Sequence, residues 1–335
     1  MFRRVSVGTF CVLLILLTLI GLIGGNVGLA KKHKAKKDKP LPAGHAVLWR
    51  EPADIRQRDL LLGPGGESMK PDLSQVTLIE KEPGGYSTKY RVRDASGREW
   101  VAKIGKEAQS ETAASHLLWG IGYFADVNYL VPSVRVEGIK EPLSNARFSA
   151  RSKDVKRLDD FKWTDNPFIG TREFQALKLM MALINNWDIK DSNNKVLVVR
   201  NKNGEKELEY EVHDLGAAFG KISHIPRFLQ FTPDRNNPKA YAKSHLVDNV
   251  KDGTVRLHFS TKMQGLFKNI SVSDARWLGA LLSQLTQQQL EDAFRSANYT
   301  PDQVRLMTGA VRKRIGELNG LTPNSQVARR LRKSD

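Results

Sequence analysis

Residues 172–187 read REFQALKLMMALINNW, a helical stretch that is apolar on nearly every side. A half-exposed helix shows one apolar stripe, whereas a helix that is apolar all round must be surrounded by other chain. This segment therefore belongs at the centre of a core, with other elements packed around it. The 335 residues are enough for one large domain or two modest ones. With 40% hydrophobic and 27% charged residues the composition is globular, which excludes a disordered chain.

Upstream of that helix the pattern has the period of strands. Residues 76–105, VTLIEKEPGGYSTKYRVRDASGREWVAKIG, predict three strands with turns at Pro83-Gly84-Gly85 and Ala95-Ser96-Gly97. Residues 107–123 predict a helix burying Ala114, Leu117, Leu118 and Ile121, and residues 129–139 a further short strand. Downstream, VLVV and ELEYEVHD flank Asn203-Gly204, the pattern of a β-hairpin. Residues 217–270 look irregular, with one strand around VRLHF. Three helices then close the chain, with Ser273, Thr286 and Thr300 as N-caps and Pro301 in a first turn. Strands with one helix, followed mostly by helices, predict an α+β fold: a small β-rich lobe (73–140) and a larger helical one (141–320).

The N-terminus lies outside that fold. Residues 5–30 carry no charge, follow Arg3 and Arg4, and run into KKHKAKKDK. The length exceeds the ~20 residues needed to span a bilayer. The lysines disfavour export and, as a positive-inside signal, would hold the body in the cytoplasm. The short Leu/Ile core with Gly28 and Ala30 equally suits a cleaved signal peptide and an exported protein. Residues 31–72, rich in Lys, Pro and Gly, read as a linker, and residues 321–335 as a basic, solvated tail. The first 39 residues hold seven of the 17 net positive charges, which leaves the body basic at +10. A basic body suits anionic partners, although a lysine-rich solvated surface gives the same count. The single cysteine, Cys11, lies in the apolar run, so the body has no disulfide and no cysteine zinc site.

Three small motifs could carry chemistry. Lys103 ends a strand in EWVAKIG; Asp188, Lys190 and Asn193 follow the apolar helix in NNWDIKDSNN; Asp214 and Gly216 leave the hairpin in VHDLG. Each motif has an ordinary alternative. Lys103 alone is a strand-end surface lysine, Asp188 and Asn193 are turn residues, and Asp214-Leu215-Gly216 closes a hairpin. Together they offer a cation for phosphates, oxygen ligands for a hard metal ion and a carboxylate to take a hydroxyl proton. His213, His224, His245 and His258 are too scattered in sequence for a metal-ligand spacing, although His213 could orient Asp214. Trp163, Trp187 and Trp277 read as core aromatics.

In this order the motifs resemble the protein-kinase-like superfamily: its strand lysine, its catalytic loop and its metal-binding triplet. The resemblance covers residues 76–219. It implies a two-lobed kinase-like fold, preceded here by the N-terminal apolar segment, that uses ATP and Mg2+. Asp188 would be the catalytic base and Lys190 would steady the transferred phosphate. Asn193 and Asp214 would hold magnesium, and Lys103 the nucleotide phosphates, with Glu111 (or Glu107, its competitor) as the lysine's partner. Gly84 and Gly85 form a reduced glycine loop, and Asn186-Trp187 stands where the family has His-Arg. Glu111 follows Lys103 by only eight residues, a spacing similar to that of the atypical branch around the phosphatidylinositol 3/4-kinases.

The resemblance implies an ATP- and magnesium-dependent phosphotransferase acting on an unknown protein, lipid or small-molecule hydroxyl. The alternative is a pseudokinase, or a nucleotide-binding interaction module at the membrane or cell envelope. The N-terminal segment implies a membrane contact, and nucleic acid is not expected as a partner.

Overall fold

The computed structural model describes residues 41–151, 155–158, 160–222 and 234–323. The expected signal or anchor at 1–30 lies outside the described residues, as does the tail beyond residue 323. Among the described residues, no helix is long and apolar enough to cross a membrane.

The chain is a mixed α+β structure with a β-sheet N-terminal region and a helical C-terminal part. A short β1 (His45–Val47) leads through three single 3-10 turns to β2 (Thr77–Glu82), β3 (Lys89–Arg93) and β4 (Glu99–Lys103). Helix α1 (Glu107–Gly120), β5 (Asn128–Val134), β6 (Leu143–Ala150) and a two-residue β7 (Lys156–Arg157) follow. The main sheet has the order β2-β3-β4-β6-β5 with antiparallel neighbours throughout. Strand β6 was not foreseen. Its sequence, LSNARFSA, carries polar residues at alternate positions, yet Ala146, Phe148 and Ala150 face an apolar core with Val92, Trp100 and Val131. The sheet thus runs past residue 140, where the sequence placed the end of the β-rich lobe.

The C-terminal part begins with α2 (Arg172–Leu183), followed by the hairpin β8 (Asn194–Arg200) and β9 (Lys206–Val212). The hairpin turns at Asn203-Gly204, where Gly204 takes φ +80°, a conformation few side chains tolerate. β1 adds to it in parallel alongside β9. The stretch expected to be irregular contains α3 (Pro238–Lys243) and a second hairpin, β10 (Val247–Lys251) and β11 (Thr254–Leu257). Helices α4 (Val272–Leu282), α5 (Gln287–Arg295) and α6 (Pro301–Asn319) complete the order.

Thr286 and Thr300 cap α5 and α6 in full capping boxes. The cap of α4 is Ser271 rather than Ser273. The helix starts at Val272, so the residue before it supplies the oxygen, and Ser271 Oγ accepts from the Asp274 amide at 3.1 Å. Helix α2 buries nine of its twelve residues, as its composition requires. Its C-terminal carbonyls would be orphaned in the core without a donor. Fully buried Arg314 of α6 supplies one, donating to the Leu183 carbonyl, to Asn185 Oδ1 at 2.9 Å and to Ser244 Oγ at 2.6 Å. Its guanidinium also lies 4.1 Å from the Tyr241 ring. The end of α2, and with it the start of the loop that follows, is thus fastened to α6.

The linker expected at 31–72 differs from the structure over its described part. Leu48, Ile55 and Leu60 are buried in the large core against α1. His116 of α1 lies 2.8 Å from the Leu60 carbonyl and 3.1 Å from the Asn128 carbonyl. The Pro- and Gly-rich composition hid three widely spaced anchors. Leu60→Ala should therefore cost about 2–5 kcal/mol, read as a lower denaturation midpoint. A solvated linker would lose less than about 0.5 kcal/mol.

Candidate active site

Strand register places three cations side by side on one face of the main sheet. Lys103 of β4 lies opposite Lys89 of β3 and Arg147 of β6. Like charges directly opposite one another destabilise a sheet unless anions separate them. Those anions come from α1 and from the end of the β8–β9 hairpin. Lys103 Nζ is 2.8 Å from Glu111, 2.9 Å from Asp214 and 3.4 Å from Glu107. Arg147 donates to the other oxygen of Glu111 and, at 3.3 Å, to Asn128. Gly105, at φ +110°, turns the chain between strand and helix, so Glu107 and Glu111 fall one helical turn apart on the side facing the sheet.

Lys103 is only 3% exposed and Asp214 41% exposed, so the cluster is sealed at the lysine and open at the aspartate. Burial works against both charges, but the mutual attraction is stronger. Lys103 is held above the ordinary lysine range, chiefly by Glu111. Asp214 is held below the usual carboxylate range, chiefly by Lys103. Both are ionised at neutral pH. Asp214 also sits in the left-handed region at φ +50°, a conformation uncommon for a non-glycine residue and frequent at functional positions. Behind it, a Cβ on Gly216 would come within 2.6 Å of Glu107 Cβ, so only glycine lets α1 approach this loop.

The loop after α2 is a second group. Lys190 Nζ lies 2.8 Å from Asp188, a pair open to solvent. Asn193 is buried, and its Nδ2 donates to the Asp188 carbonyl at 2.9 Å, which directs its Oδ1 the other way. Thr261 Oγ1 supports the loop's start by donating to the Trp187 carbonyl at 2.9 Å. The two groups meet through the backbone: the His213 amide donates to the Asn193 carbonyl at 2.7 Å, so Asn193 abuts the residue just before Asp214. The structure thus brings Lys103, Glu111 and Asp214 into direct contact, and Asp188, Lys190 and Asn193 into one loop beside them. Gly84 and Gly85 form the β2–β3 turn at φ +81° and +85°, and a Cβ on Gly85 would lie 3.2 Å from Lys89 Nζ.

Several residues here escaped the sequence reading. Ser87 donates to Glu107 at 2.7 Å and ties the glycine turn to α1. Arg235 also donates to Glu107, while its guanidinium lies 4.0 Å from the Tyr86 ring and 5.1 Å from that of Trp187. It thereby bridges the glycine turn and the loop after α2. No local pattern could have marked Lys89, Arg147 or Arg235; only strand register and chain crossing bring them here.

A buried trio lies behind Asp214. His213 Nδ1 is 2.6 Å from Asp126, and its Nε2 is 3.6 Å from Glu211. Burial pushes Glu211 up to about 7 against the opposing pull of His213. His213 is also raised, because Asp126 and Glu211 outweigh its burial, and Asp126 is lowered, because His213 outweighs its burial.

No family model matches the chain, and no curated protein matches it. Among solved structures it is similar to a Helicobacter pylori proinflammatory kinase, CtkA, at 10% identity and TM-score 0.43, over 75% of this chain and 97% of that one. It is also similar to the Chaetomium thermophilum Rio2 kinase in its ADP/Mg2+-phosphoaspartate complex, at 13% identity and TM-score 0.30, over 73% and 72% of the respective chains.

The trio makes stability depend on pH. From its ordinary 4.5 up to about 7, Glu211 holds a proton in the folded chain that the unfolded chain releases, so stability falls as pH rises through that window. His213, also raised, acts in the same direction. Its contribution is complete below its ordinary 6.5 and disappears as pH climbs through its folded pKa. The melting temperature should therefore drop between roughly pH 5 and 8, and Glu211→Gln should flatten that drop. An unchanged slope in Glu211→Gln would contradict the assignment.

Proposed function

We propose that the chain is an ATP- and magnesium-dependent phosphotransferase with a protein-kinase-like arrangement, acting on a hydroxyl acceptor. The observation that carries this reading is the buried ammonium of Lys103, bonded at once to Glu111 of α1 and to partly exposed Asp214 at the hairpin's exit. A purely structural ion pair needs one partner. Here a strand cation is shared between a sealed carboxylate and an open one, which suits a phosphate clamp beside a metal ligand.

The donor set fits the group. Asp214 offers a partly exposed carboxylate, and Asn193 an amide oxygen directed away from its own loop bond, both hard oxygen ligands suited to Mg2+. Bound Mg2+ would neutralise charge on the nucleotide phosphates. An ammonium has three donors, and Lys103 gives two of them to Glu111 and Asp214, with Glu107 only an ion-pair contact at 3.4 Å. The third is available to a phosphate while Glu111, pinned by Arg147, holds the lysine in place. Asp188 would take the acceptor's hydroxyl proton as the hydroxyl oxygen bonds the terminal phosphorus and ADP leaves, and Lys190, 2.8 Å from that carboxylate, would steady the transferred phosphate. Gly84 and Gly85, with Lys89 close to their turn, would supply the glycine loop over the phosphates.

The eight-residue interval from Lys103 to Glu111 supports an atypical branch similar to the phosphatidylinositol 3/4-kinases. The uncharged length of residues 5–30 supports a membrane tether with the body in the cytoplasm, or export by a cleaved signal.

One observation favours the second reading, a pseudokinase. Arg235 packs between Tyr86 and Trp187, where the glycine turn faces the loop after α2, and an arginine fixed there would bar productive closure.

A thermal-shift series with ATP and Mg2+ separates the readings. Saturating nucleotide at ~100 times its Kd should stabilise the wild type by about 2.7 kcal/mol, and Lys103→Ala and Asp214→Ala should abolish the shift. Asp188→Ala should keep the shift and lose transfer by about 100-fold or more. A magnesium-dependent shift without turnover in the wild type supports the pseudokinase. Turnover unaffected by Asp188→Ala overturns the first reading.

A further inference from the structure

The β10–β11 hairpin gathers metal-ligating side chains that belong to neither of the two groups described above. Its register slips between Val247 and Asn249, which makes Asp248 the extra residue of a β-bulge. A bulge bends its strand and re-aims the side chain it carries. Just beyond β11, the His258 amide donates to the Leu246 carbonyl at 2.9 Å, which sets His258 beside the residues that precede the bulge. As a result, His245 Nε2 lies 2.7 Å and His258 Nδ1 3.1 Å from the same carboxylate oxygen, Asp248 Oδ1. The two imidazoles stack at 4.0 Å, and one ligand atom from each of the three residues falls within 4.8 Å of the others.

The geometry points to a divalent transition-metal site here, with zinc the foremost ion. We propose that His245 Nε2, the Asp248 carboxylate and His258 Nδ1 bind Zn2+ and leave a fourth position to water or a further ligand. Two imidazoles and one carboxylate form a donor set that suits zinc over magnesium or calcium. Zinc sits about 2.0–2.2 Å from such atoms, so tetrahedral neighbours are roughly 3.3 Å apart. To admit the ion the 2.7 Å contact must open by about 0.6 Å, and the stacked rings must turn so that both nitrogen lone pairs meet at one point. His245 and Asp248 are each more than 40% exposed at the side chain, so an ion enters directly from solvent. The ordinary alternative is a carboxylate bridging two surface imidazoles. It explains the hydrogen bonds equally well and predicts no metal uptake. The site does not depend on the proposed function.

The test is calorimetric titration of the untagged, chelator-treated full chain with ZnCl2, paired with the visible spectrum of its Co2+ form. One equivalent of Zn2+ should bind and raise the melting temperature. His245→Ala and His258→Ala should each weaken binding at least about tenfold, the lower end of what even an outer-shell partner is worth. His45→Ala, on an exposed strand elsewhere, should leave it unchanged. His245 is exposed enough for its loss to spare the fold, which far-ultraviolet circular dichroism checks. Absence of stoichiometric uptake by the wild type, or uptake unaltered in both hairpin variants, overturns the proposal.

Discussion

An ammonium taken out of water is tolerated only when carboxylates replace its hydration, and the structure is arranged around meeting that demand for Lys103. Three carboxylates reach it from two places in the chain, and Arg147 steadies the nearest. Removing one partner from such a buried pair typically costs about 3–5 kcal/mol, because the other charge is left stranded. Glu111 must therefore face the sheet, which fixes the rotation of α1. Asp214 must return to the end of the central strand β4, which fixes where the β8–β9 hairpin ends. Gly216 must remain a glycine so that α1 and that return can pass each other.

The same demand links the two parts of the molecule. Apart from its ion pairs, α1 contributes Ala113, Leu117 and Leu118 to the large core, and its polar Ser110 donates to the Gly216 carbonyl at 2.8 Å. A helix polar enough to hold charges on one side and apolar enough to pack on the other joins sheet to helices. Helix α2 then sets the depth of the neighbouring loop, and Arg314 caps it from α6. The Lys103 cluster and the loop after α2 thus rest on residues that lie outside both.

Much of the fold could be read locally. The periods of β2, β3 and β4, the Asn203-Gly204 hairpin, the all-round apolar character of α2 and the capping boxes of α5 and α6 are each contained within a dozen residues. Strand β6 was missed because its inward residues are two alanines and one phenylalanine among polar neighbours. The packed segment 41–72 was missed because proline and glycine dominate its composition while its anchors lie far apart. Ser273 was chosen as a cap over Ser271 because two serines two residues apart satisfy the same rule.

The sequence alone determined which chemical groups exist: a strand lysine, an acidic helix start, a loop with Asp188, Lys190 and Asn193, and an Asp-Leu-Gly exit. It could not tell a surface lysine from a buried one, since burial depends on what crosses over a residue rather than on its neighbours in the chain. Tertiary structure decided that Lys103 touches Asp214, 111 positions away, and that Lys89 and Arg147 flank it. It also drew His245, Asp248 and His258 together from positions whose spacing had argued against any shared site. A pleated sheet and a bulge convert distance along the chain into contact, and their register is set by the whole core rather than by any one segment.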